Sequence, residues 1–232
     1  MRYSHEHILL FCLGVLYCWR MKGCIFDFDG VICDSEKYHY LAWEQTAKVV
    51  GVSFTREEYV PFQSTGRKKV IAYLCEKAEL TVTDELFDRL SAVKSEVFAR
   101  LTDKVGADDL IKGVDTFIRK LHESGYVLAM ASSASSAKRM LTKLGLSPYF
   151  AVLLDGNDVA EKKPDPTIFL TAAEKLGLTP AECTVFEDSP AGVLAAKTGG
   201  FSVVGMGTTL PTETDYPRFN DFTEAYPFFF KV

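Results

Sequence analysis

Apolar positions in this chain follow two regimes. Between residues 36 and 104 they recur only at helical spacing, and from 108 onward helical stripes alternate with short continuous apolar runs. The spacing predicts helices over 36–50, closed by Gly51, over about 55–61, over 67–78 behind Gly66, and over 83–101. In the last of these, Leu86, Leu90, Val93, Val97 and Leu101 share one stripe, while Asp84 and Glu85 occupy the first turn, where acids suit the helix dipole. Further on, helices are predicted over 109–124, 135–144, 166–176 and 190–198, each followed by a glycine (Gly125, Gly145, Gly177, Gly199). Strands are predicted over 126–131, 152–154, 183–186 and 202–205. Residues 208–232 are weakly patterned, with a short helix near 222–226.

One further strand precedes all of this. The run Gly23-Cys24-Ile25-Phe26 stops abruptly at Asp27-Phe28-Asp29-Gly30, as a strand covered on both faces would where a sheet ends, and Gly30 permits a tight reversal there. Strand-helix alternation implies a parallel sheet with crossover helices on both faces. The expected fold is therefore α/β: a doubly wound parallel sheet built from 21–35 and 105–232, with an all-helical unit, 36–104, inserted after the first strand.

With 232 residues and 47% hydrophobic content, the chain can bury a full core. Its net charge of −5 provides no general attraction to nucleic acid or anionic lipid, so a small molecule is the expected partner and nucleic acid is not. Six cysteines (Cys12, Cys18, Cys24, Cys33, Cys75, Cys183) lack CxxC spacing, which argues against zinc and disulfides and for a reducing, cytoplasmic setting. The exception to this picture is Ile8 to Trp19, an apolar run too short for the ~20 residues a membrane span requires. No small-x-small cleavage site follows it, so a membrane role would need this run to be a real anchor. We expect residues 1–20 to lie outside the fold, with Met21 as the initiator.

The predicted strands end in a particular set of polar residues. Asp27 and Asp29 follow the first, Ser132 and Ser133 the second, and Glu187 and Asp188 the fourth; Lys163 lies in the loop before helix 166–176. In a doubly wound sheet such ends converge on one crevice. Up to four carboxylates there would repel one another unless a divalent cation and a lysine neutralise them, and hard carboxylate oxygens favour Mg²⁺, the usual partner of phosphoryl groups. The residues thus point to phosphoryl transfer. Taken singly, each has a plainer account: the Asp pair as a turn, the serines as a helix cap (Ser135 or Ser136 in particular), Glu187-Asp188 as acids at a helix N-terminus, and Lys162-Lys163 as a solvated run.

In order and spacing, FDFDGV, Ser132-Ser133, Lys163-Pro164 and FEDSPAG (186–192) together resemble the four motifs of the haloacid dehalogenase superfamily, over roughly residues 21–210. Within it, DFDGVICDSEKYHYLAW and FEDSPAGVLAA look most like the β-phosphoglucomutase branch, which carries a helical cap after the first motif. The resemblance implies that Asp27 is the nucleophile and becomes an aspartyl phosphate, and that Asp29 is the general acid and base. It implies Mg²⁺ between Asp27, the Asp29 carbonyl and Asp188, with Glu187 as ligand or close neighbour. Ser132 and the Ser133 amide would bond the phosphoryl oxygens, and Lys163 would add positive charge. In the cap, His39 would lie near the acid-base group, Arg67, behind Gly66, would grip a second phosphate, and Lys94 occupies a mutase-like position. Asp29 separates the chain from dehalogenases and phosphonatases, which lack an acid there.

Phosphatase and mutase differ only in what receives the phosphoryl group. A mutase needs a firm cationic grip on the distal phosphate of a bisphosphate and must exclude water. Here Gln63 stands where the branch has a cap lysine, and Ala134-Ser135 stands where it has a polar-basic pair. A sugar-phosphate phosphatase is therefore the expected function, with β-phosphoglucomutase as the alternative. A non-catalytic phosphate-binding protein of the same fold is the remaining reading; a filled set of catalytic positions weighs against it.

Overall fold

The computed structural model describes residues 21–63 and 66–230. The apolar run Ile8 to Trp19 and the expected start at Met21 concern residues outside or at the edge of that range. Among the described residues no helix is long and apolar enough to cross a membrane. The described residues divide into two compact units, one formed by 21–34 together with 106–230, the other lying within Ser35–Val105.

The first unit contains the sheet. Its strands are β1 (Gly23–Phe26), β2 (Val127–Ala131), β3 (Val152–Leu154), β4 (Cys183–Glu187), β5 (Ser202–Met206) and β6 (Arg218–Phe219), in the order β3-β2-β1-β4-β5-β6 and parallel throughout. Residues on β1 alternate between faces, as any strand requires. Ile25, with Ala129, Ala131, Val185 and Val203, packs on Ile168, Phe169, Ala172 and Ala173 of one helix (Thr167–Leu176) and on Val193, Ala195 and Ala196 of another (Pro190–Thr198). Phe26 points the other way and stacks on Phe186 with ring centroids 4.5 Å apart. Phe117, from helix Val114–Glu123, and Phe222 and Phe229, from helix Phe222–Phe229, close that face. Both faces of the sheet are covered, so β1 is wholly buried and the doubly wound expectation holds.

Two predicted boundaries moved. The helix read as starting at Asp109 begins at Val114: Asp109 is buried and turns its carboxylate back onto the Gly106 amide (2.8 Å), and Gly113 at φ +80° breaks the helical path. The intervening residues pair with the loop after β1, through Ile111 N–H to the Ile32 carbonyl (3.0 Å) and Asp34 N–H to the Asp109 carbonyl (2.7 Å). The weakly patterned C-terminus supplies β6, two residues long and so without a readable period, and the final helix, capped by Asp221 through Thr223 N–H (2.8 Å).

The second unit is helical. With the helices of both units numbered in chain order, it holds α1 (Glu36–Ala47), α2 (Arg56–Tyr59), α3 (Arg67–Lys77) and α4 (Asp84–Thr102), and no strand among the described residues. Trp43, Phe54, Tyr59, Ile71, Leu74 and Leu90 form its core. In the first unit α5 is Val114–Glu123, α6 Ala137–Lys143, α7 Thr167–Leu176, α8 Pro190–Thr198 and α9 Phe222–Phe229.

Candidate active site

β1 sits between β2 and β4, where the sheet's winding reverses, and Phe26 is level with both Met130 and Phe186. Asp27 leaves the end of β1 still bound to β4 through its N–H to the Phe186 carbonyl (3.0 Å). That register brings Asp27 beside Glu187 and Asp188, the residues that end β4. Oxygens of all three lie within 4.8 Å of one another.

Lys163 closes this group from the loop before α7. Its Nζ donates to Asp27 Oδ1 at 2.5 Å and to Glu187 Oε1 at 2.6 Å, and its side chain is only 8% exposed. Adjacent Lys162 points to solvent, so the plain solvated-run account fits Lys162 and fails for Lys163. The second oxygen of Glu187 accepts from the Ser189 amide (2.8 Å) and hydroxyl (3.0 Å), while the Ser189 hydroxyl accepts from the Gly192 amide, capping α8. Both Glu187 oxygens are thereby engaged.

Two glycines leave room for these acids. A Cβ on Gly192 would lie 1.8 Å from Glu187 Oε1, so only glycine lets the carboxylate lie across the start of α8. At Gly30, with φ +77°, a Cβ would lie 2.1 Å from Asp188 Oδ2. The sequence reading assigned Gly30 to the turn alone and gave Gly192 and Ser189 no role. Ser189 followed by Pro190 did carry an N-cap signal.

One ammonium cannot balance this many acids in a buried space. Burial first, then the charges of Glu187 and Asp29, raises Asp27 from 3.8 to about 7, against the opposing pull of Lys163. Asp188 is raised to about 9 by burial and by Glu187 and Asp27. Burial opposes the charge of Lys163, but Asp27 and Glu187 outweigh it and hold the ammonium above its ordinary value. Three hard oxygen donors with surplus negative charge fit a small divalent cation. Asp29, three residues past the end of β1 and half-buried, contributes its charge to this group.

Ser132 ends β2, one strand over. It is buried, its N–H continues the ladder to the Leu154 carbonyl (3.1 Å), and its Oγ accepts from Ala134 N–H (3.1 Å). Ser133 follows, half-buried. Ser136 holds the N-cap position of α6 but makes no side-chain cap bond, because its backbone is already helical there.

The remaining predicted residues lie in the helical unit. Lys94, on α4 and 8% exposed, donates from Nζ to Nδ1 of His39 on α1 at 2.9 Å. Burial, followed by the charges of Lys94 and Arg67, holds His39 well below its usual pKa, so it is a neutral acceptor. Arg67 starts α3 and is exposed, behind Gly66 at φ +82°. Four described cysteines (Cys24, Cys33, Cys75, Cys183) are buried and no disulfide joins them; burial raises the Cys75 thiol, and raises Cys183 to about 11.

The haloacid dehalogenase-like hydrolase family matches residues 21–200. Among curated proteins, the chain is 33% identical to a β-phosphoglucomutase of Bacillus subtilis over 193 residues, covering 82% of this chain and 85% of that one. It is 32% identical to a phosphorylated carbohydrates phosphatase of Thermotoga maritima, covering 78% and 82%. Among solved structures, a variant of CbbY from Rhodobacter sphaeroides in complex with xylulose 1,5-bisphosphate superposes with a TM-score of 0.74 at 25% identity, covering 88% of this chain and 96% of that one.

Proposed function

Because the chain belongs to the haloacid dehalogenase-like hydrolase family, an enzyme family, we propose that it is a Mg²⁺-dependent phosphatase that works through a phosphorylated Asp27 and acts on a small sugar phosphate. The observation that supports this most is the buried Lys163 bridging Asp27 and Glu187, with Asp188 beside them. A buried carboxylate held at a strand end by an ammonium is oriented for attack.

In the first half-reaction a carboxylate oxygen of Asp27 bonds to phosphorus as the bond from phosphorus to the sugar oxygen breaks, and protonated Asp29 gives its proton to that oxygen. In the second, Asp29 takes a proton from water, the water oxygen bonds to phosphorus, and Asp27 and inorganic phosphate separate. The Ser132 hydroxyl already accepts from Ala134 N–H, which leaves its hydrogen for a phosphoryl oxygen; the Ser133 amide is the second donor. Mg²⁺, held by Asp27, Asp188 and the Asp29 carbonyl, would offset phosphoryl charge and lower the pKa of Asp27. Glu187 adds negative charge and anchors Lys163, with both oxygens already engaged. The buried thiols fit a reducing, cytoplasmic setting.

One observation favours a mutase: the likeness to a β-phosphoglucomutase, alongside the Lys94-His39 pair with Arg67 near it. Water is nonetheless the acceptor we assign, because Gln63 and Ala134-Ser135 leave the distal phosphate fewer cationic partners. A phosphate-release screen over hexose and pentose phosphates with Mg²⁺ decides between them. We expect free phosphate to outpace isomerisation; glucose 6-phosphate formed faster than phosphate from β-glucose 1-phosphate, with catalytic β-glucose 1,6-bisphosphate, would overturn the phosphatase reading. No Mg²⁺-dependent release from any ester would favour a binding protein.

The cation makes its own prediction. The protonated forms of Asp27 and Asp188 favour folding below their ordinary 3.8, and that contribution is lost as pH rises through about 7 and about 9. Cations bind the ionised forms. Added Mg²⁺ is therefore expected to raise the melting temperature more near pH ~8 than near pH ~6. Asp188→Asn should lose most of that rise and melt above wild type in metal-free buffer. A Mg²⁺ shift that shrinks with pH, or survives Asp188→Asn, would count against this site.

A further inference from the structure

Residues 155–158, which open the connection from β3 to α7, take no part in the chemistry above, yet they abut the turn that holds Ser132 and Ser133. A Cβ on Gly156 would lie 2.4 Å from the Ser133 carbonyl oxygen, 3.1 Å from its carbon and 3.3 Å from Ser135 N. The φ of Gly156 lies outside the left-handed range, so it is space rather than backbone freedom that demands glycine. The carbonyl it abuts belongs to the same rigid peptide as the Ala134 N–H, which donates to Ser132 Oγ at 3.1 Å. Pressing the Ser133 oxygen back by about 1 Å, the distance an ordinary contact needs, tilts that peptide and takes Ala134 N–H off Ser132 Oγ.

The loop itself is braced. Asn157 Nδ2 donates to the Ser135 carbonyl (3.2 Å) and Asn157 N–H to Asp155 Oδ1 (3.0 Å); Asp155 N–H in turn donates to Asp158 Oδ2 (2.7 Å). Lys138 of α6 pairs with that same oxygen at 2.5 Å, and Asp155 is buried. Pairing of Ala131 with Leu154 sets the two loop origins level with each other.

We propose that Gly156, assisted by Asn157, is a positioning residue for the Ser132–Ser133 turn, setting the aim of the hydroxyl and amide that receive the phosphoryl group. This rests on the phosphoryl-transfer reading above. The candidate metal ligands come from the ends of β1 and β4, and Lys163 joins them from farther along the connection than residues 155–158, so the two can be separated by experiment. Gly156→Ala is expected to raise both the KM for a sugar phosphate and the inhibition constant of inorganic phosphate by about tenfold or more, since an ångström of misplacement is costly. Asn157→Ala, an exposed change, should raise both by about threefold. In both variants the Mg²⁺-induced rise in melting temperature should match wild type. A folded Gly156→Ala with phosphate inhibition within about twofold of wild type would overturn the proposal. If Gly156→Ala gives no cooperative melting transition, unchanged inhibition of Asn157→Ala overturns it instead. A wild-type protein that neither releases phosphate nor is inhibited by it fails the phosphoryl-transfer reading and this inference with it, whereas an active wild type beside unchanged variants sinks the positioning role alone.

Discussion

Asp27→Asn is expected to lower Mg²⁺-dependent phosphate release by about four orders of magnitude or more while leaving the protein folded. An amide is a poor nucleophile, and Asp27 is the carboxylate that directly follows β1 and that Lys163 orients there. The stability half of this expectation separates chemistry from collapse. Burial and neighbouring acids raise Asp27 to about 7, so near neutrality its charge hinders folding in metal-free buffer, and the neutral amide should melt no lower than wild type. Asp29→Ala provides the contrast: attack by Asp27 survives, proton transfer does not, and a slowly hydrolysed phosphoprotein should be recoverable after acid quench. Steady turnover by Asp27→Asn would refute the covalent route.

Lys163→Met should carry the largest stability cost. Its ammonium lies within 2.5 Å of Asp27 Oδ1 and 2.6 Å of Glu187 Oε1, and all three side chains are under 10% exposed. Removing one partner from such a group leaves buried charge without compensation, which typically costs about 3–5 kcal/mol. Denaturant titration in metal-free buffer at about pH 8 reads this directly. The sign of the pH dependence follows from Asp27. Without the lysine its folded-state pKa, already raised to about 7, rises further above the ordinary 3.8, so the deficit should grow with rising pH and shrink as pH falls and Asp27 takes up its proton. A loss under about 1 kcal/mol, the scale of an exposed pair, would show that Lys163 is solvated in solution and that the burial argument for this site is wrong.

Much of this molecule was legible in its sequence, and the physical reason is local. Strands β1, β3, β4 and β5 announce themselves because a strand covered on both faces needs an unbroken apolar run, and most helices because glycine stops a periodic stripe. The segment after residue 104 was misread where a local rule met a tertiary contact. Asp109 resembled a helix-starting acid, but it folds back on Gly106, and its neighbours pair with the loop after β1. Strand β6 was missed because two residues carry no period; its place comes from pairing with β5. Ser136 looked like a capping side chain and makes no cap bond, whereas Ser189, given no role, caps α8 and binds Glu187.

The kinds of group the site would need were fixed by the chain's order: acids at the ends of two buried runs, a serine pair at a third, a lysine before a helix. Each follows from residues within a few positions of one another, where sequence distance and spatial distance are nearly the same. Which of them meet was a decision of the tertiary structure. Lys163 lies 136 residues from Asp27, and they touch because strand order puts β4 beside β1 and carries the preceding loop across the end of the sheet. The same holds for the glycines. Gly30 and Gly192 are ordinary turn and helix residues until Asp188 and Glu187 fill the volume a Cβ would take, and Gly156 until Ser133 does. No periodicity records an excluded volume, because it exists only once two distant segments have packed. The motif after β1 thus had its chemistry written locally, and its charge balance was settled only by what the sheet brought beside it.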